Sequence, residues 1–234
     1  MKQLSLVMPV YNEDEVIKKV ISKWSEALEK LNIDFEIFAY NDGSTDKSLE
    51  ILNNIAKNNP HLVVKDKKNS GHGATILQGY RDCSENFEWI FQTDSDDELG
   101  VDGFEKLWQN RENYSFLIGK RIYKNRNFSR TFISFVAKII VRTFCGKGIS
   151  DVNCPYRLMK SDVFRDFFLK IPQDTFAPNV IISSFVNKKH LKYFEIPLIW
   201  NERTTGTVSI QKIKLLKSAC KAFLQTIKLY FKGL

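Results

Sequence analysis

The chain has 234 residues, a formal net charge of +8 and a hydrophobic fraction of 43%. This length fits one large α/β domain, or a domain with a small appendage, and only 6 prolines and 11 glycines argue against a disordered or fibrous protein. No apolar stretch reaches the roughly 18 residues needed to cross a bilayer, and the four scattered cysteines are typical of reduced thiols in a cytoplasmic protein.

In the first half of the chain, strand and helix patterns alternate with short connections. The predicted strands span residues 4–8, 35–40, 62–64 and 89–91, and the predicted helices span residues 14–31, 46–57 and 73–82. Pro9 is expected to end the first strand. Such alternation predicts a doubly wound, mainly parallel α/β sheet. Right-handed crossovers then bring the carboxyl ends of the strands to one edge, where α/β proteins bind ligands.

The second half is less regular. Strands are predicted over residues 114–119 and 191–200, the second one broken by Pro197. Two amphipathic helices with basic stripes are predicted over residues 131–144 and 210–231. An apolar face flanked by cations favours reversible binding to an anionic membrane surface. The alternative is that both apolar faces pack on the domain core, a second copy of the chain or a membrane-protein partner.

The basic charge is concentrated near the end of the chain. Residues 203–234 contain seven Lys or Arg and no Asp or Glu. Such a segment is compatible with nucleic acid, an anionic membrane or an anionic substrate, and charge alone does not choose among them. Since no nucleic-acid-binding motif accompanies it, we expect no nucleic-acid partner. We divide the chain into a main domain, residues 1–209, and a basic amphipathic helix, residues 210–234.

The most informative motif is the acidic turn at residues 93–98, TDSDDE, directly after the apolar run 89–91. Asp94 and Asp96 deliver hard oxygen ligands to the rim of the sheet, where they can hold Mg²⁺ or Mn²⁺ and the diphosphate that the cation neutralises. The alternative is a solvated acidic turn that caps the next helix. Asp97 has the weaker claim to a role in the site.

A second acidic turn, residues 41–46, follows an earlier predicted strand in the same way. Asp42 at this position can accept hydrogen bonds from a ribose or a nucleobase, whereas Asp46 is expected to be the N-cap of the next helix. The segment 71–73 opens a helix, and the exposed N–H groups around Gly73 are a plausible cradle for an anion. We assign no catalytic role to His72 or to the other two histidines.

Four motifs taken together resemble family 2 glycosyltransferases. They are residues 9–13 (PVYNE), 41–46 (NDGSTD), 69–73 (NSGHG) and 93–96 (TDSD). The resemblance implies an inverting enzyme with a GT-A fold that uses a nucleotide-diphosphate sugar. Three later segments look like the dolichyl-phosphate mannosyltransferase branch and its bacterial polyprenyl-phosphate relatives, whose acceptor is a lipid phosphate: residues 119–121, 151–158 and 202–209.

The resemblance also implies roles for single residues. The side chains that it places around the donor nucleotide are Pro9, Tyr11, Glu13, Asp42, Gly73, Asp94 and Ser95. It assigns the divalent cation, Mg²⁺ or Mn²⁺, to Asp94, Asp96 and Glu98.

The same resemblance places the catalytic groups in the second half of the chain. Asp151 is the candidate general base, and Asp96 is expected to act with it through the metal and the diphosphate. Arg121 would bind phosphate of the donor or the acceptor, and Arg203 would close over the diphosphate from the late loop.

Three positions depart from the family pattern. Asn41 stands where Asp is common, which affects contacts to the base or ribose, and Glu98 stands where Gln often follows, which adds a charge near the metal. The Lys often found after Ser209 is missing.

The motifs and the resemblance together predict an enzyme that moves a sugar from a UDP- or GDP-sugar to a polyprenyl phosphate of the undecaprenyl or dolichyl type. One alternative keeps the donor chemistry but transfers the sugar to a saccharide hydroxyl of a surface glycan. Another is a nucleotide-sugar-binding or membrane-scaffolding protein that has lost catalysis. The expected location is cytoplasmic, on the inner face of the cell membrane.

Overall fold

The computed structural model describes residues 1–123 and 148–201, together with the single residue Gln225. The strands in these residues are β1 (Lys2–Val10), β2 (Phe35–Asp42), β3 (Leu62–Lys67), β4 (Phe87–Gln92), β5 (Phe116–Tyr123), β6 (Arg157–Lys160) and β7 (Tyr193–Trp200). The helices are α1 (Ile17–Lys30), α2 (Ser48–Ala56), α3 (His72–Cys83), α4 (Phe104–Asn110), α5 (Ser161–Lys170) and α6 (Pro178–Lys188), with 3₁₀ turns at Val101–Gly103 and Arg111–Asn113.

The described strands form one sheet in the order β3-β2-β1-β4-β6-β5-β7. Neighbouring strands from β3 to β4 are parallel, and β5 is parallel to β7. The short strand β6 runs antiparallel to both β4 and β5 and joins the two groups. The prediction of a doubly wound, mainly parallel α/β sheet is confirmed, with one antiparallel strand inserted at its middle.

The core is built from the strands and from the apolar faces of the helices. Helix α1 is amphipathic and buries five large apolar side chains: Ile17, Val20, Ile21, Trp24 and Leu28. Trp24 lies 5.2 Å from Phe91, 5.8 Å from Phe104 and 5.9 Å from Tyr156, measured between ring centroids. Because Phe91 is the second-last residue of β4, this aromatic cluster fixes the strand end that carries the acidic turn.

Two prolines were expected to interrupt strands, and both expectations are wrong. Pro9 lies inside β1, in register with Tyr40 of β2. The pairing of β1 with β4 extends only to Val7, so β1 has a single partner strand at the proline and the missing N–H is tolerated there. Pro197 lies inside β7, which is at the edge of the sheet formed by the described strands, where proline is tolerated.

Several element ends also differ from the prediction. Strand β2 continues to Asp42 and strand β5 to Tyr123, because each stays paired with a neighbouring strand to that point. Helix α2 begins at Ser48, with Lys47 rather than Asp46 at its N-cap position. The Asp46 carboxylate nevertheless accepts the Ser48 N–H at 2.9 Å, so it does stabilise the helix start.

The two predicted amphipathic helices, residues 131–144 and 210–231, lie outside the described residues apart from Gln225. So do Arg203 and the segment 202–209. Within residues 1–123 and 148–201, we find no helix that is long and apolar enough to cross a membrane.

Candidate active site

The acidic turn after β4 and the basic end of β5 meet in one cavity. Its lining combines three carboxylates, one guanidinium and apolar surface: Asp94, Asp96, Glu98, Leu99, Arg121, Pro155 and Trp200. The antiparallel insertion of β6 between β4 and β5 brings these segments together, since the residues that precede β6 (151–156) then run beside the acidic turn. The structure thus unites four of the predicted site residues in one place.

Asp94 is held by two side chains at the same oxygen. Gln92 Nε2 donates to Asp94 Oδ1 at 3.0 Å, and His72 Nε2 lies 3.0 Å from that oxygen. Desolvation acts to raise the pKa of Asp94, but His72, Arg121 and Gln92 outweigh it and hold the pKa below its usual range. Asp94 is therefore ionised at neutral pH.

Asp96 has the opposite electrostatic environment. Burial and the neighbouring Asp94 and Glu98 carboxylates raise the pKa of Asp96 to about 7. The Glu98 backbone N–H donates to Asp96 Oδ1 at 3.1 Å, and Glu98 Oε2 accepts the Trp200 indole N–H at 2.7 Å. The cavity therefore carries more negative charge than its described neighbours balance, which is the condition that favours a bound cation.

The three acidic side chains do not form a closed metal cage. Among the described residues, no group of three or more His, Cys, Asp or Glu side chains is placed to bind a metal together. The donor set instead fits Mg²⁺ or Mn²⁺ held by one or two carboxylates and by substrate phosphates, the common arrangement in phosphate-transferring sites. One oxygen of each carboxylate accepts a hydrogen bond within the protein, from Gln92 at Asp94, from the Glu98 N–H at Asp96 and from Trp200 at Glu98.

Arg121 and Asp151 form a bidentate ion pair. Arg121 Nε donates to Asp151 Oδ2 at 2.7 Å and Arg121 Nη2 donates to Oδ1 at 2.8 Å, while the Arg121 backbone N–H reaches Oδ2 at 3.3 Å. Desolvation acts to lower the pKa of Arg121, and the hydrogen bonds and charge of Asp151 outweigh it and raise the pKa. Asp151 therefore fixes the guanidinium at the cavity wall.

Asp42 is surrounded by donors of the chain itself. Its carboxylate accepts the N–H groups of Ser70 at 2.8 Å and Gly71 at 2.9 Å, and it forms an ion pair with Lys67. Desolvation acts to raise the pKa of Asp42, and these partners outweigh it and lower the pKa. The contacts hold the turn that leads into α3. A contact of Asp42 with the donor nucleotide stays a prediction.

The motif at residues 9–13 is joined to both acidic turns. The Pro9 carbonyl accepts the buried Ser95 hydroxyl at 2.9 Å, so the Ser95 side chain links β1 to the turn after β4. The Asn12 N–H donates to Ser44 Oγ of the second acidic turn at 3.0 Å, and the buried Glu13 donates its N–H to Ser48 Oγ at 2.7 Å. Tyr11 is 38% exposed. The nucleotide roles of these residues remain predictions, since none of them lines the cavity described above.

Close packing explains why residue 73 is a glycine, which the sequence alone did not reveal. A Cβ at this position would lie 2.2 Å from the carbonyl oxygen of Phe176 and 2.6 Å from that of Thr175. Only glycine therefore lets the start of α3 approach this segment. Its role as an anion cradle stays a prediction.

Five residues of the site were missed in the sequence: Gln92, His72, Leu99, Pro155 and Trp200. The strand pattern could have indicated Gln92, because it is the polar residue that ends β4 immediately before the acidic turn. Trp200 lies 102 positions from its partner Glu98, and no local pattern connects them.

The sequence pattern of Glycosyl transferase family 2 matches residues 5–168, which is more than half of the chain. The chain belongs to this family, and the resemblance noted from its motifs is confirmed.

Two relatives are similar along most of this chain. A dolichyl-phosphate beta-glucosyltransferase of Trichomonas vaginalis is 27% identical over 215 residues, covering 85% of this chain and 66% of the relative. An undecaprenyl-phosphate 4-deoxy-4-formamido-L-arabinose transferase of Pseudomonas fluorescens is 26% identical over 217 residues, covering 91% and 62%. The chain thus spans slightly less than two thirds of the length of these relatives.

A solved structure supports the fold. The crystal structure of glucosyl-3-phosphoglycerate synthase from Mycobacterium tuberculosis, in complex with Mn²⁺, uridine-diphosphate and phosphoglyceric acid, superposes with a TM-score of 0.68 at 14% identity. The match covers 98% of this chain and 78% of the synthase. The expected GT-A fold is confirmed.

Proposed function

We propose that this protein transfers a sugar from a UDP- or GDP-sugar to a polyprenyl phosphate, with inversion at the anomeric carbon. Both relatives described above carry a polyprenyl phosphate in their names, and the synthase of similar fold was crystallised with uridine-diphosphate. The observation that carries the proposal is the cavity in which the Asp94 and Asp96 carboxylates face the Arg121 guanidinium. Such a cavity suits two phosphate-bearing substrates, one bridged by a cation and one bound by arginine.

The donor side of the proposed site uses the acidic turn. Asp94 and Asp96 would hold Mg²⁺ or Mn²⁺, and this ion supplies charge neutralisation to the leaving nucleotide diphosphate when it is bound. The partners of Asp94 lower its pKa, so the side chain offers a negative charge to the ion at neutral pH. Glu98 and Trp200 close the cavity wall through their hydrogen bond. Arg203, which lies outside the described residues, remains a proposed contact of the diphosphate.

The acceptor side of the proposed site uses Arg121. A phosphate acceptor is already an anion near neutral pH, so it attacks the anomeric carbon without losing a proton to a strong base. Positioning by Arg121, and by Asp151 behind it, would then contribute most of the rate enhancement. A saccharide hydroxyl would instead require a free base. Both Asp151 oxygens accept hydrogen bonds from Arg121, which favours the phosphate acceptor.

The proposed place of action is the anionic surface of a membrane on its cytoplasmic side. A polyprenyl phosphate resides in the bilayer, and the basic residues 203–234 would draw the chain to anionic lipid headgroups by about 1 kcal/mol for each Lys or Arg near the surface.

The test is transfer of radiolabel from a panel of UDP- and GDP-sugars into vesicles that contain undecaprenyl phosphate, with Mg²⁺ or Mn²⁺. We expect label in the lipid from one donor, and a loss of at least about 100-fold in Asp96→Asn. The matched control is Asp97→Asn, which removes the neighbouring carboxylate. Asp97 does not line the cavity and forms ion pairs with Lys19 and Lys23 instead, so this variant should keep near-normal transfer.

Each other result contradicts a stated part of the proposal. Label in a soluble glycan but not in the lipid would favour the saccharide acceptor. Equal activity of Asp96→Asn and the parent chain would overturn the assigned cation site. Nucleotide binding without any transfer would favour a protein that has lost catalysis.

A further inference from the structure

A buried chain of polar side chains ends on Asp94. Tyr80 lies on α3, Asn179 on α6 and Gln92 at the end of β4, and none of the three is more than 3% exposed. Tyr80 Oη lies 2.8 Å from Asn179 Oδ1, Asn179 Nδ2 lies 3.0 Å from Gln92 Oε1, and Gln92 Nε2 lies 3.0 Å from Asp94 Oδ1. We refer to these three side chains as the Tyr80 relay.

We propose that Gln92, held in place by Asn179 and Tyr80, is a positioning residue that orients the Asp94 carboxylate toward the cation and diphosphate. This inference rests on the proposed function and extends it to residues that touch neither substrate.

The direction of every hydrogen bond in the relay follows from its last member. An ionised carboxylate only accepts hydrogen bonds, so Gln92 must present its NH₂ group to Asp94 and its carbonyl oxygen to the interior. That oxygen needs a donor, which the Asn179 NH₂ group supplies. The Asn179 oxygen in turn needs a donor, which the Tyr80 hydroxyl supplies at 2.8 Å. All three groups are thus satisfied in one orientation only.

This polarity makes the relay selective for an anion at Asp94. Rotating either amide by 180° would set oxygen against oxygen, and in a buried site the resulting loss of hydrogen bonds is costly. The relay therefore stabilises a fixed rotamer of Gln92 rather than only filling space.

The relay also determines which oxygen of Asp94 is left for a ligand. Gln92 and His72 both contact Oδ1. In the part of the chain that the structure describes, no hydrogen bond reaches Asp94 Oδ2. With Oδ1 engaged, the carboxylate cannot rotate freely, and Oδ2 is the oxygen that stays available in the cavity. Residues that hold a metal-binding side chain in this way commonly change metal affinity 10–100-fold when they are replaced.

The experiment measures Mn²⁺ binding by electron paramagnetic resonance, without turnover, for Mn²⁺ alone and with UDP or GDP. Gln92→Met keeps the approximate volume and removes the donor to Asp94, and we expect it to weaken Mn²⁺ binding by about 10-fold or more. Tyr80→Phe removes only the hydroxyl, which donates to Asn179 Oδ1 and also lies 3.3 Å from Gln92 Oε1, and we expect a smaller loss of about 2–5-fold, because Asn179 then loses its donor.

The matched control is Ser184→Ala. Ser184 lies on α6 like Asn179, is buried, and donates to the Val180 carbonyl at 2.8 Å without touching the relay. It should lose a similar buried hydrogen bond but keep the Mn²⁺ affinity of the parent chain. The proposal is overturned if the parent-like affinity is also found in Gln92→Met. If Gln92→Met does not fold, Tyr80→Phe decides in the same way, with parent-like affinity counting against the relay.

Asp94→Asn separates the two levels of the argument. Loss of Mn²⁺ binding in Asp94→Asn with normal binding in folded Gln92→Met would overturn the relay alone. Normal Mn²⁺ binding in both variants would overturn the assigned cation site as well, and with it that part of the proposed function.

Discussion

At the scale of single residues, two adjacent carboxylates face opposite electrostatic environments. The pKa of Asp96 is raised to about 7 by burial and by the charges of Asp94 and Glu98. Desolvation acts to raise the pKa of Asp97 too, but Lys23 and Lys19 outweigh it and lower the pKa. Of these two side chains, Asp96 lines the cavity and Asp97 does not. The raised pKa therefore belongs to the proposed metal ligand, and the lowered pKa belongs to a residue of a structural ion pair.

Asp96→Asn should stabilise the metal-free protein at alkaline pH. A folded-state pKa raised above the ordinary value of 3.8 gives stability that is present below about pH 4 and is lost as the pH rises through about 7. Because Asn does not ionise, the variant does not lose this stability as the pH rises. The full shift would correspond to about 4 kcal/mol, and screening by water in an open cavity reduces it to ~1–3 kcal/mol. Urea unfolding in EDTA at pH 4 and pH 8 measures the difference.

Asp97→Asn is the control with the opposite sign. A lowered folded-state pKa gives stability that is present above the unfolded pKa and lost as the pH falls through the folded one. The change to Asn should therefore destabilise the protein at pH 8, by less than about 1 kcal/mol because both lysines are well exposed. Asn also tolerates the positive φ of 58° at this position. Equal unfolding curves for both variants at pH 8 would contradict the assigned charges.

At the scale of elements, the turn before β6 depends on a buried arginine. Arg157 is fully buried. It donates to the carbonyls of Cys154 at 2.7 and 3.0 Å, Val152 at 3.2 Å and Asn179 at 3.0 Å. In residues 1–123 and 148–201, no carboxylate forms an ion pair with it. Its donors therefore hold the turn that carries Asp151, and through that turn they set the position of Arg121.

Arg157→Met should destabilise the protein and loosen this turn. The carbonyls that Arg157 now satisfies would be left without donors in a buried place, which we expect to cost about 2–5 kcal/mol. Urea unfolding measures the free energy of unfolding. Relative to the parent chain, hydrogen exchange in the variant should accelerate more at residues 151–156 than in α1. Faster exchange spread evenly over the whole chain would contradict a local role for Arg157 in the turn.

The elements also show how far the sequence leads. The segments from β1 to β4 were predicted with the right type and order, although several of their ends differ, because each one has a clear strand or helix pattern. Strand β6 has only four residues and was missed, since its place between β4 and β5 depends on the tertiary fold. Helix α5 was missed although Phe164, Phe167 and Phe168 follow the spacing of a buried helical face.

The residues of the candidate site also fall into those that the sequence predicted and those that it did not. The sequence identified the residues whose chemistry is visible locally, such as Asp94 and Asp96 after a buried strand. Partners that come from distant segments could not be found. Asn179 lies 87 positions from Gln92, and Trp200 lies 102 positions from Glu98.

At the scale of the whole molecule, the cavity lies where two groups of strands meet. Strands β1 to β4 contribute the acidic turn, and strands β5 and β7 contribute Arg121 and Trp200. Strand β6 is the only described connection between these groups within the sheet. Contacts outside the sheet strengthen this connection, because Arg81 of α3 donates to the carbonyls of Phe168 at 3.1 Å and Ile171 at 2.6 Å. The two groups should therefore lose their structure together.

Leu158→Ala tests this coupling. Leu158 is fully buried in β6 and is paired with Phe91 of β4 on one side and Leu117 of β5 on the other. Removing its side chain should lower the free energy of unfolding by about 2–5 kcal/mol. If the groups are coupled, hydrogen exchange will accelerate by the same factor in β2 and in β5, because both then exchange through one global unfolding. Acceleration in β5 with unchanged protection in β2 would mean that the second group unfolds separately, and the cavity would then open without loss of the fold of β1 to β4.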